Sequence, residues 1–379
     1  MALPGASSTQ EECLRWSTFA SRPAITAALL VLTIAVFPPE DAASSDDRAA
    51  SAKRLDAVIA SGRQSSVRKL VSQSPLLLTH ATPQQRAKLI DILQRRGTGS
   101  ADERTILDIV AASPQTELAE VLKLIDAGDD QYDLEELVYH DVDDPEVRQK
   151  LLDLIASQRS GQAALELGVI SDFDDTAVPH KHKPFGDAAP GVAALYVEID
   201  GELPGDVHFV TARPQVVGQE VRQQLRQRGF PSATVKFGHF DRVVFGGGEG
   251  ILSSKVANIE RLMALHPQQR FVLFGDTVQQ DPEVYREIQR RHPEQVAAVV
   301  IFNATGLAAD DSRCQEFILA GNSVEAAAKL AQLGLLSEEQ VRVIARAAIA
   351  EGLPHEQAEQ WLPDEPPPAP ASAVAATDP

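Results

Sequence analysis

Apolar positions along the chain follow two rhythms, and the change between them falls near residue 165. From about Arg54 to Arg159 the spacing is helical. Leu55, Val58 and Ile59 stand at i, i+3 and i+4, and Leu89, Ile92 and Leu93 repeat the pattern, which places them on one face of a 3.6-residue helix. Pro83, Pro114 and Pro145 mark helix starts, and Val147, Leu151, Leu152 and Ile155 follow the last of them. A proline in the first helical turn removes no hydrogen bond. No β-rich stretch interrupts, so residues 46–164 read as a small all-helical domain.

From Leu167 the chain shows short apolar runs that end in polar residues. Leu167-Gly168-Val169-Ile170-Ser171 ends at Asp172, Val207-His208-Phe209-Val210 at Thr211, and Phe271-Val272-Leu273-Phe274 at Gly275-Asp276; Val296 to Phe302 is a fourth run. Such runs suit strands buried on both faces. Helical spacing lies between them, in Val217, Val221 and Leu225, and in Val256, Ile259, Leu262 and Met263. Alternating strands and helices predict an α/β fold: a doubly wound parallel sheet over residues 165–305, with helices on both faces and ligands at the carboxyl ends of the strands. After Asn303 the spacing returns to helix, in Val324, Ala327, Leu330 and Leu333, and Ser337-Glu338-Glu339 opens another. Residues 306–362 therefore read as C-terminal helices. Residues 363–379, of Pro, Ala and acid, read as a disordered tail.

The first 45 residues form a separate problem. Ala24 to Phe37 is mostly apolar and is preceded by Arg15 and Arg22. A spanning helix needs about 20 such residues, and this run is nearer the apolar region of a signal peptide. Glu11 and Glu12 and the lack of an A-x-A site leave an uncleaved anchor or a buried helix as alternatives. The expected location is export, periplasmic or extracellular, or attachment to a membrane. Residues 38–52 are expected to be a linker.

Charge and composition narrow the function. The chain has 379 residues with 35 Lys or Arg and 54 Asp or Glu, a net charge of −19. Aromatics make up 5%. No nucleic-acid partner is expected, because that role needs clustered cations or stacking platforms. Two cysteines, Cys13 and Cys314, do not make a disulfide scaffold. Much of the acidity is local: Asp126 to Glu146 holds ten acidic residues and no Lys or Arg. Its spacing lacks the order of an EF-hand, so it reads as solvated helix ends and an interaction face.

The chemistry-bearing segment is Ser171-Asp172-Phe173-Asp174-Asp175-Thr176. Two carboxylates two residues apart at a strand end can enter one crevice, where their repulsion calls for a proton or a cation. Mg2+ suits an all-oxygen site that leaves positions open for phosphate. One carboxylate can then attack phosphorus while the other works as acid and base. Gly275-Asp276-Thr277-Val278-Gln279-Gln280-Asp281 brings two further carboxylates, Thr211 a hydroxyl, and Lys255, read at a helix start, a cation for the phosphoryl group. Arg213 reads either as a substrate contact or as a helix cap. His180-Lys181-His182-Lys183 reads as a phosphate-steering patch, and Gly246 to Gly250 as a mobile loop near the site.

These residues and their order resemble the haloacid dehalogenase superfamily of phosphotransferases. Asp172, Asp174 and Thr176 match its D-x-D-x-T motif, Thr211 its second motif, Lys255 its third, and Gly275, Asp276 and Asp281 its fourth. The closer likeness, over residues 165–305, is to the actin-patch-associated phosphatidate phosphatase family. Its S-D-x-D-D-T and G-D-x-x-x-Q-D-P-E-x-Y sequences are similar to those at Ser171–Thr176 and Gly275–Tyr285. The resemblance implies a Mg2+-dependent phosphatase. Asp172 would form an aspartyl phosphate, and Asp174 would protonate the leaving alcohol and then activate water. Thr211 and Lys255 would hold the phosphoryl oxygens. Asp172, the backbone carbonyl of Asp174, and Asp276 would bind the metal, with Asp281 and Thr176 in support. Only about thirty-five residues separate Thr176 from Thr211, and about forty separate Thr211 from Lys255. Neither gap holds a large cap, and an open site fits a bulky phosphorylated substrate such as a lipid, with peripheral membrane contact. The alternative is a catalytically idle protein of the same fold that binds or scaffolds through its helical regions. Oligomeric state is not indicated.

Overall fold

In the computed structural model, residues 45–128, 130–160, 166–179, 188–202, 204–238, 247–308 and 311–362 are described. The apolar run of the leader, His180–Lys183 and the tail lie outside them. The helical rhythm produces α1 (Ser45–Ser61), α2 (Gln64–Gln73), α3 (Pro83–Gln94), α4 (Ser100–Ala111), α5 (Gln115–Asp126) and α6 (Pro145–Ala156). The helix α1 begins inside the stretch expected to be a linker. Its later turns bring Leu55 into the apolar cluster and pack Val58 and Ile59 against it, and tertiary docking of this kind carries a helix through weak local sequence. Helix starts follow local chemistry. Thr82 and Gln85 close a capping box on α3, and the Asp144 carboxylate accepts from Glu146 and Val147 N–H at the start of α6.

All four expected strands form, and two more join them. The strands are β1 (Glu166–Ser171), β2 (Val207–Pro214), β3 (Ala233–Gly238), β4 (Gln269–Asp276), β5 (Val296–Phe302) and β6 (Ile318–Ala320). Every neighbouring pair is parallel, in the order β3-β2-β1-β4-β5-β6. Alternate side chains feed two cores. Val169, Phe209, Phe274 and Val300 pack with α7 (Val192–Asp200), α8 (Gly218–Gln227), α11 (Ser323–Gln332) and α12 (Glu338–Ala350). Ile170, Val210, Leu273 and Ile301 pack with α9 (Gly247–Leu265) and α10 (Asp281–Arg291). The chain therefore winds both ways from the middle, and the reversal lies between β1 and β4, where sheets of this order bind ligands. A short helix, α13 (His355–Glu359), closes the described C-terminal part. Among the described residues, no separate domain stands between β1 and β4.

The described residues from Ser45 onward form one compact unit, and charge holds the helical segment to the sheet. Lys236 of β3 meets Asp133, and Glu135 at 3.0 Å; Lys123 of α5 meets Glu166 at 2.6 Å and Asp206 at 2.7 Å. Arg261 of α9 reaches Glu135 and lies over the Tyr139 ring. Gly205 allows the closest approach: with φ +121° it takes a backbone form other residues avoid, and a Cβ there would stand 2.4 Å from the Lys123 carbonyl. The acidic run is thus not merely solvated, because Asp126, Asp133 and Glu135 are buried against the sheet side of the molecule.

Candidate active site

Asp172 leaves the end of β1, and Asp276 is the last residue of β4, so the two strands that flank the winding reversal deliver both carboxylates to one crevice. Asp281 joins them from the first turn of α10. Each of the three offers an oxygen within 4.8 Å of the others, and all three are buried. Lys255 lies between two of them, with its Nζ 2.7 Å from Asp172 Oδ1 and 2.7 Å from Asp281 Oδ1. The helix α9 that carries it is longer than the sequence suggested. Gly247 to Gly250 form its first turn rather than a loop, so Lys255 sits mid-helix and not at a helix start. The burial of Val256, Ile259, Leu262 and Met263 outweighs the cost of about 1 kcal/mol per helical glycine.

The segment Gly275–Tyr285 is a built support for these groups. At Gly275 a Cβ would stand 2.5 Å from Asp281 Cβ and 2.7 Å from the Tyr285 ring, so only glycine lets α10 approach β4 this closely. Asp276 Oδ1 accepts N–H bonds from Val278 and Gln279, and its Oδ2 accepts from Thr176 Oγ1 at 3.2 Å. Asp281 Oδ2 accepts the Asp276 N–H at 3.2 Å. Pro282 fits the first turn of α10, Glu283 pairs with Arg313, and the Tyr285 hydroxyl donates to the Phe274 carbonyl at 2.6 Å. On the other side, the turn after Asp172 passes through Asp175 at φ +58°, the one positive-φ non-glycine residue among those described. That turn brings Thr176 back to Asp276.

The electrostatics of the cluster are unbalanced. One ammonium does not neutralise three buried carboxylates, and like charges that cannot both ionise must bind a proton or a cation. Burial pushes the Asp172 carboxyl well above the usual range, against the pull of Lys255. Burial, and then the charge of Asp281, push Asp276 up to about 6. For Lys255, burial works against the charge, but Asp172 and Asp281 outweigh it and the ammonium is held protonated. The donor set is all oxygen, so the cluster is chemically fit for a metal ion.

The sequence-derived candidates mostly converge. Asp172, Thr176, Lys255, Asp276 and Asp281 meet directly. Thr211 is buried in β2, and its hydroxyl accepts the Arg213 N–H at 3.1 Å. The Asp174 side chain is instead turned to Arg213, which holds it with two nitrogens at 2.9 and 2.6 Å. Neither earlier reading of Arg213, substrate contact or helix cap, included this pairing, and the guanidinium also lies over the Phe173 ring. Gln279, whose amide reaches Asp172 Oδ2 at 3.3 Å, was not singled out from the sequence.

A buried lysine among carboxylates, at the winding reversal of a parallel sheet, makes an α/β site fit for an anionic ligand. Residues 167–303 match the family described as phosphatidate phosphatase APP1, catalytic domain. That match is to a phosphoric monoester hydrolase, and it runs from the second residue of β1 through β5 and takes in every carboxylate of the cluster. No curated protein and no solved structure matches the chain.

Proposed function

We propose that the chain is a Mg2+-dependent phosphatidate phosphatase or a phosphatase of a similarly bulky phosphomonoester, working by the haloacid dehalogenase chemistry its motifs resemble. The observation that carries this reading is the Asp172–Lys255 contact beside two further buried carboxylates at the strand ends. Asp172, Asp276 and the backbone carbonyl of Asp174 would hold Mg2+, which when bound offsets the negative charge of the cluster and of the phosphate.

The residues then divide the work. An Asp172 carboxylate oxygen attacks phosphorus, the ester P–O bond breaks, and the leaving oxygen takes a proton from Asp174. In the second half Asp174 removes a proton from water as it attacks the aspartyl phosphate, and the P–O bond to Asp172 breaks to release phosphate. Lys255 and Thr211 hold the phosphoryl oxygens. Substrate phosphate competes with Asp174 for Arg213, a bidentate anion binder, and so frees Asp174 to carry its proton. A lipid substrate accords with peripheral membrane contact and with a leader at residues 1–45, of which all but Ser45 lie outside the described residues. No helix among the described residues is long and apolar enough to cross a membrane.

The test is phosphate release by the purified chain with Mg2+ on phosphatidic acid in mixed micelles, phosphopeptides, nucleotide ends and sugar phosphates. Hydrolysis of phosphatidate is expected, with Asp172→Asn at least ~1000-fold slower and unchanged in thermal melting. Preference for small sugar phosphates would remove the lipid reading; equal rates for Asp172→Asn would remove the nucleophile.

A further inference from the structure

A second cluster of ligating side chains lies away from the catalytic carboxylates. It joins Asp126, the last residue of α5, to His208 in β2 and to His266, the residue that follows α9. The three are buried, and one ligand atom from each lies within 4.8 Å of the others. Each of the first two is held by its outer atom. Asp126 Oδ1 accepts the Leu134 N–H at 2.8 Å, and His208 Nδ1 stands 2.8 Å from Thr234 Oγ1. Their inner atoms, Asp126 Oδ2 and His208 Nε2, have no hydrogen-bond partner. His266 Nε2 stands 2.9 Å from Asp126 Oδ2, yet this approach lacks hydrogen-bond geometry, and neither ring nitrogen of His266 has a hydrogen-bond partner. The two imidazoles lie 4.7 Å apart at 42°.

Leaving a buried polar atom without a partner costs about 1–3 kcal/mol, and here one ligand atom from each of three buried residues converges on one point. A cation turns each of them into a ligand. Outer atoms anchored by a backbone N–H and a hydroxyl, with inner atoms left free, is the arrangement that orients metal ligands. We infer that Asp126, His208 and His266 form a structural site for a divalent transition metal, zinc foremost. Two imidazoles and one carboxylate suit zinc and its neighbours and do not suit Mg2+. Bonds of about 2.0–2.1 Å close the observed separations with small side-chain shifts. The site is enclosed, so its role is to brace. It ties α5 of the helical segment to β2, which carries Thr211 three residues on, and to α9, which carries Lys255.

Metal analysis by mass spectrometry of the full chain, purified without a metal-affinity step and dialysed against Mg2+ buffer, tests this. About one equivalent of zinc per chain is expected, retained by Asp172→Asn and lost by His208→Asn and His266→Asn. Chelation of the parent chain is expected to lower Tm, and added Zn2+ to restore it, a readout that needs no variant to fold. Co2+ in place of zinc is expected to give visible absorption that the histidine variants lack. A folded parent chain that holds no metal, and whose Tm ignores both Zn2+ and Co2+, would reduce the cluster to a buried Asp126–His266 contact beside His208. Metal retained equally by the histidine variants would overturn the site as well.

Discussion

Lys255 is the residue on which the site turns. Among the described residues it is the one cation in hydrogen-bond contact with Asp172 and Asp281, and its charge offsets theirs and would meet the phosphoryl group. Lys255→Met leaves two buried carboxylates without their partner. Folding stability is expected to fall by about 3–5 kcal/mol and kcat by ~100-fold or more, read from urea unfolding and from initial rates. Lys255→Arg is not expected to rescue either, because a planar guanidinium does not fit between two oxygens reached by a point charge. Retained stability in the Met variant would show that the carboxylates simply take up protons. Asp172 and Asp276 were legible because each ends an apolar run, and Asp281 because it opens a helix with a proline behind it; Lys255, in mid-helix, is not placed by such a pattern. The Asp174–Arg213 pair was not legible, because it links side chains 39 positions apart and an arginine near the end of a strand looks the same whether it faces solvent or a carboxylate.

At the scale of elements, the approach of α10 to β4 sets the height at which Asp281 meets Lys255. Gly275→Ala places a methyl where Asp281 Cβ and the Tyr285 ring already stand. A loss of about 1–3 kcal/mol is expected, with a drop in kcat as Asp281 moves from Lys255. A variant with parental Tm and kcat would show that α10 gives way freely. Four strands were legible as apolar runs, whereas β3 was not. Its sequence Ala-Thr-Val-Lys-Phe-Gly alternates, and the position that looks solvent-facing, Lys236, is buried because Asp133 and Glu135 come to meet it from the helical segment. No local pattern announces a partner 100 residues away. Three-residue β6 is too short to leave a pattern. The glycines that open α9 were misread because propensity alone favours a loop there, while burial further along the helix decides.

For the whole molecule the question is what the helical segment does for the catalytic part. That segment carries a run of ten acidic residues between Asp126 and Glu146 without a Lys or Arg, and part of it is used internally. Asp133 and Glu135 meet Lys236, Asp126 approaches His266, and the reverse pairing of Lys123 with Glu166 and Asp206 lies at the foot of the sheet. Among the described residues, Leu265 is the one residue outside the helical segment in that segment's apolar cluster. An interface this polar specifies a mating geometry more than it adds stability. A fragment of residues 166–362 is therefore expected to be soluble, since what it exposes, His208, Thr234 and Lys236, is readily hydrated. It is also expected to melt below the full chain and to turn over more slowly, because β3 loses its cover and α9 loses the contact of Arg261 with Glu135 and Tyr139. Sedimentation, thermal melting and initial rates on the same preparation read all three. An aggregated fragment would show that the covered face is apolar in effect. A fragment with the Tm and kcat of the full chain would show that the helical segment is a tether, and that its buried charge pairs position nothing the catalytic carboxylates require.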